Sequence, residues 1–265
     1  MNLMDEVAKI KEEGYNEVNA EAKLCQDIVI KAIARSSLNR NITIKGGVVM
    51  HSLSGELRRA TQDIDLDFIK YSISEASIEK FVEKMNCIDG VYLKISSPIE
   101  ELRHRDYSGK RINIEVSDDV GNILSSKMDI GVHKDLDIAQ DEYCFDVCFD
   151  DELASVLINS KAQMITEKLK SMLRFGARST RYKDIFDICY LSDSVDMQQL
   201  QGCIDRYIYS DDSIGVVDAE AIQKRVERMF NNSNYKKQVE RSRKNWLDIS
   251  VDEVFKKVIE FIQRV

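Results

Sequence analysis

The sequence predicts an α+β chain in which a mixed β-sheet with flanking helices is followed by a helical C-terminal part. Segments alternating apolar and polar residues with period two concentrate between about residues 42 and 149, whereas segments of helical period fill the chain beyond about residue 152. A single proline, Pro98, and only 11 glycines in 265 residues argue against long flexible linkers. The division expected from this change of period is 1–155 and 156–265.

The elements are read in order. Residues 4–13 and 18–37 carry helical apolar spacing, as in Leu24, Ile28, Ile30, Ala32 and Ile33. A short strand, ITI at 42–44, runs through KGG into a helix-like VVMHSLSGEL. DIDLDFI at 63–69 alternates acid and apolar residues and reads as a strand. Ser74 and Ser77 are residues that cap a helix over 75–86. Strands are expected at 91–97, 110–117, 126–132 and 142–149. The later helices are SKAQMITEKLKSML with Ser160 as N-cap, then TRYKDIFDICYLS, VDMQQLQGCIDRYI, AEAIQKRVERMF and VDEVFKKVIEFIQ.

Composition excludes several classes. No run of about 18 apolar residues exists, so no membrane span is expected, and MNLMDEVAKIKEEG has no signal-peptide core; the reading is cytoplasmic. The six cysteines form no C-x-x-C pair and mostly sit in apolar runs, as core thiols do, and His51, His104 and His133 lack metal spacing. The net charge of −8 is unevenly spread. Residues 135–152 hold eight acids and no base, while 161–184 hold seven Lys or Arg against two acids. An acidic chain can thus still present a basic face to polyphosphate or RNA.

The chemistry concentrates in residues 45–68. Gly46 and Gly47 follow the first strand and open a helix, where backbone N–H groups and the helix dipole can hold phosphates close to a chain without Cβ atoms. Asp63 and Asp65 follow on a strand, two residues apart and therefore on one side of it, where carboxylates can share hard cations. Either element alone is commonplace: glycine pairs occur in many turns, and an acidic strand is often a solvated edge. Their ordered combination, with three acids in five residues repelling one another, calls for cations.

KGGVVMHSLSGELRRATQDIDLDF, with ITEKLKSML at 165–173 and RYKDIFDICYL at 181–191, resembles the AbiEii/AbiGii toxin family of nucleotidyltransferases. The resemblance runs from about residue 40 to 191. It implies a polymerase-β-like fold, an NTP substrate held by Lys45, Gly46, Gly47 and Val48, and two Mg²⁺ ions on Asp63, Asp65 and a third carboxylate. It also implies a toxin of a toxin–antitoxin or phage-defence pair, with a cognate antitoxin as partner; some members of the family place nucleotides on tRNA ends, and RNA such as a tRNA end is the expected acceptor, which the family resemblance alone does not settle. The alternatives are a small-molecule or protein acceptor, or a catalytically silent scaffold. Val48 departs from the family's usual small hydroxyl residue, leaving only its backbone N–H for phosphate.

For the third carboxylate, Asp129 in KMDIG resembles the family's third strand, with Glu115 in NIEV as the other candidate. The resemblance places Lys168 against the triphosphate from an exposed cleft wall, with Asp184 beside it and Asp187 structural; Lys168 could instead snorkel from the core face of Met164, Ile165, Leu169 and Met172. The helical part is thereby expected to complete the active-site cleft. One of Arg58 and Arg59 is expected to brace the acidic turn. Lys236, Lys237, Arg241, Arg243 and Lys244 with Trp246 form either an RNA contact with one stacking base or a solvated helix face.

Overall fold

A computed structural model describes residues 1–104 and 107–265, with the side chains of residues 103–108, His104 among them, outside the description. The chain divides into two compact units, Met1–Asn159 and Ser160–Val265.

The first unit is an eight-stranded mixed sheet with helices. Its elements are α1 (Leu3–Glu12), α2 (Glu17–Arg35), β1 (Ile42–Lys45), α3 (Gly46–Ser54), β2 (Ile64–Phe68), α4 (Glu75–Lys84), β3 (Val91–Ile95), β4 (Glu100–His104), β5 (Tyr107–Asp118), β6 (Ile123–Val132), β7 (Asp141–Val147) and β8 (Asp150–Ile158). The strand order is β3-β5-β6-β2-β1-β8-β7, with β4 also pairing β5. The β2–β6 and β1–β8 pairs are parallel, and the other pairs are antiparallel. Two strands were absent from the sequence reading. In β8 the opening acids DDE hide an alternation, Ala154, Val156 and Ile158, that the structure buries. In β4, EELRH offers one apolar residue to a pattern search.

Alternation decides what each face carries. Ile64, Leu66 and Phe68 of β2, Ile112, Ile114 and Val116 of β5, and Met128 and Ile130 of β6 are at most marginally exposed. Helix α2 buries Leu24, Cys25, Ile28, Val29, Ala32 and Ile33 and packs on β6, β7 and β8. The residues between the apolar ones on β2, β5 and β6 stand on the opposite face, and that face carries the charges.

The second unit is helical: α5 (Lys161–Phe175), α6 (Lys183–Leu191), α7 (Met197–Ile204), α8 (Ala219–Phe230), α9 (Ser233–Arg241) and α10 (Val251–Ile262). Helix α9, SNYKKQVER, is mostly polar, in keeping with a solvated helix face, and buries only Tyr235 and Val239, one turn apart. Phe230 and Phe255 stack with centroids 4.0 Å apart and rings nearly parallel, joining α8 to α10. Among the described residues no helix is long and apolar enough to cross a membrane. All six cysteines are free thiols; Cys25, Cys189 and Cys203 are core residues, whereas Cys87 and Cys144 are exposed, against the expectation that most would be buried.

Candidate active site

Strand register assembles the charged face. Lys45 on β1 lies directly opposite Asp65 on β2. Asp65 lies opposite Asp129 on β6, Asp129 opposite Arg111 on β5, and Arg111 opposite Glu100 on β4. Five charged residues therefore form one row across five strands, spaced by about 4.8 Å per strand. Asp63 precedes β2 and is exposed; Asp65 is half-buried; Asp67, two residues further on, is buried.

Charged groups in and near the row have specific partners. Lys45 Nζ lies 2.7 Å from Asp67 Oδ1, so its ammonium neutralises the buried acid beside Asp65. Asp129 accepts two hydrogen bonds from one guanidinium, from Arg111 Nε at 2.7 Å and Nη2 at 2.8 Å. That fork raises the Arg111 pKa above its ordinary value, the hydrogen bond to Asp129 being the main cause and the charges of Asp129, Asp63 and Glu100 adding to it. Glu115 sits four residues along β5 from Arg111, opposite Ser125, with Lys94 Nζ 2.8 Å away. It therefore stands about 13 Å along the strand from the row, whereas Asp129 is in it.

The glycine turn adjoins the same row. Gly46 has a φ of +69°, and a Cβ added there would lie 2.3 Å from Asp65 Oδ2. A Cβ on Gly47 would come within 2.6–2.8 Å of the Thr61 side chain. Helix α3 starts without a side-chain cap at Lys45, whereas α1, α2, α4, α5 and α7–α10 are capped by Asn, Ser or Asp. Val48 is 4% exposed, so its side chain packs inward and only backbone is offered at that position. Gly46→Ala is expected to displace Asp65, cutting turnover roughly 100-fold, with a stability loss of about 1–2 kcal/mol from the left-handed backbone. Single-turnover rates and a melting curve separate the two effects; near-normal turnover would remove Gly46 from the site.

Among the described residues no three His, Cys, Asp or Glu side chains are already gathered around one point ready for an ion. The donors nonetheless suit a hard divalent cation in kind, being carboxylates only. Asp65 and Asp129 are strand neighbours, and both oxygens of Asp129 are presently held by Arg111. Arg111 was not found by sequence reading, because only the β5–β6 register brings it to Asp129. Of the two arginines before the acidic turn, Arg59 is buried, while the Arg58 side chain is half-exposed, 4.0 Å from Glu56.

In the helical unit, Lys168, Asp184, Asp187 and Trp246 form one buried polar cluster. Lys168 Nζ lies 2.9 Å from Asp187 Oδ2 and 3.4 Å from Asp184 Oδ1. Arg181 Nε donates to Asp184 Oδ2 at 2.9 Å, and Trp246 Nε1 donates to Asp187 Oδ1 at 3.0 Å. Asp187 is fully buried and Lys168 is 8% exposed, so the expectation of an exposed lysine is corrected. The helix places Lys168 on the same face as Leu169 and Met172, and the two aspartates of α6 compensate its burial. Trp246 is 2% exposed with its indole N–H spent on Asp187, which removes it as a stacking platform for a base. Lys236 of the same basic stretch is ion-paired to Asp252 at 2.5 Å.

Among curated proteins none matches the chain. Residues 28–257 match the model of the nucleotidyl transferase AbiEii toxin family, type IV TA system, and the chain belongs to that family of nucleotidyltransferases.

Proposed function

We propose that the chain transfers a nucleotide from an NTP to an RNA acceptor such as a tRNA end, in a Mg²⁺-dependent reaction, as the toxin of a phage-defence pair restrained by a cognate antitoxin. One observation carries this reading: Asp65 and Asp129 are in-register neighbours on parallel strands, and the Gly46 backbone reaches the Asp65 carboxylate closely enough to leave no room for a Cβ.

The residues divide the work as follows. Backbone N–H groups at Gly46, Gly47 and Val48, at an α3 start with no side-chain cap, hold the triphosphate. Lys45 keeps Asp67 neutralised and fixes the end of β1 beside Asp65. Asp63, Asp65 and Asp129 would hold two Mg²⁺ ions, which when bound offset triphosphate charge and acidify the acceptor hydroxyl. Asp129 takes up the proton of that hydroxyl on a carboxylate oxygen.

Incubation with each labelled NTP, Mg²⁺ and total RNA, resolved on a gel, tests the acceptor. A labelled RNA band supports the reading; transfer only to protein or to a small molecule overturns the RNA acceptor while keeping the enzyme. Mg²⁺ with the correct NTP is also expected to raise the melting temperature. Binding confined to the native state adds about 2.7 kcal/mol at a hundred times the Kd. A flat response to all four NTPs at millimolar concentration would favour a silent scaffold.

A further inference from the structure

We propose that Arg111 is a switch residue that holds Asp129 in the cation-free protein and passes to Glu100 when a divalent cation takes Asp129. The inference rests on the carboxylate–cation reading above and deepens it.

Three observations on β4, β5 and β6 carry it. Both oxygens of Asp129 are engaged by the Arg111 fork, at 2.7 and 2.8 Å, so a cation approaching this carboxylate competes with a charge-assisted bidentate partner. Arg111 has a second acid directly opposite on its other side, Glu100 on β4, and that residue is exposed. A guanidinium midway between two acids in one row can change partner by rotating its own side chain, with no backbone movement. The Arg111 side chain is 35% exposed, which leaves it room to do so.

The row thus has two charge arrangements. Without cations, Arg111 offsets the repulsion between Asp129 and Asp65, which would otherwise face each other as neighbouring acids. With cations, that task passes to the ion, and Glu100 receives the displaced guanidinium. The carboxylates are thereby protected from collecting cations indiscriminately, because each binding event competes with the Arg111 fork.

Calorimetric titration of the full chain with Mn²⁺ alone, without NTP, reads the switch directly. Arg111→Met is expected to tighten Mn²⁺ binding roughly ten-fold or more, since a charge-assisted bidentate competitor is removed. Arg111→Lys, which keeps the charge but not the fork, should give a smaller gain and guards against a folding defect in the first variant. Glu100→Gln should weaken binding roughly three-fold in the otherwise wild-type chain, yet have little effect in the Arg111→Met background. Equal or weaker Mn²⁺ binding by Arg111→Met overturns the switch, as does a Glu100→Gln effect of the same size in both backgrounds. If wild type binds Mn²⁺ and only these differences are missing, the carboxylate reading stands without the switch. If neither wild type nor any variant binds Mn²⁺, both fall together.

Discussion

Asp65→Asn is expected to reduce nucleotide transfer by roughly 100- to 1,000-fold, the order for losing one preorganised electrostatic partner of a transition state. Asp65 stands within the charged row, opposite Lys45 on one side and Asp129 on the other, and its Oδ2 abuts the Gly46 turn. An amide keeps the shape but donates hydrogen where a carboxylate would share charge with a cation. The same change relieves repulsion from Asp129, so the melting temperature should stay level or rise. Asp63→Asn should act in the same direction. The comparison needs a transfer assay and a thermal melt on the same preparation; an Asp65→Asn protein of normal activity would end the carboxylate mechanism.

Lys168→Ala has the largest expected effect on stability. Removing the ammonium leaves Asp187, with no exposure, and Asp184, with 5%, deprived of their shared cation. Breaking a buried pair in this way costs about 3–5 kcal/mol. A double variant, Lys168→Met with Asp187→Asn, should recover much of that loss. Methionine refills the space, and an asparagine carbonyl still accepts from Trp246 Nε1. Chemical denaturation of wild type, Lys168→Met, Asp187→Asn and their double variant gives the coupling. A Lys168→Ala chain as stable as wild type would show that the cluster contributes nothing to the fold. Because the single variant is expected to lose stability, its activity is informative only below its own melting transition, where a defect in turnover can be told from unfolding.

Much of the architecture was legible because local patterns and tertiary burial agree. Period two in IDLDF buries Ile64, Leu66 and Phe68, and Ser160 and Ser74 cap the helices they precede. Strands β4 and β8 were not legible, since their apolar content is too low or is masked by acids. What holds them is pairing with neighbours, as in Glu100–His104 against Tyr107–Arg111 and Thr43–Ile44 against Leu157–Ile158.

The sequence by itself determined the α+β class, the order of the elements and the ingredients of the site: glycines without Cβ atoms, acids at spacing two, and a family pattern. Those depend on residue type and short-range period, which the chain carries locally. The tertiary structure decided which distant residues share a row. Glu115 and Asp129 are equivalent to a pattern search, yet register sets Asp129 beside Asp65 and Glu115 beside Lys94. Arg111 could not be singled out until β5 was aligned with β6, and the environment of Lys168 waited on α6 and Trp246 closing over it. Register and burial arise from long-range packing, and the electrostatics of a charged side chain follows from which neighbours that packing supplies.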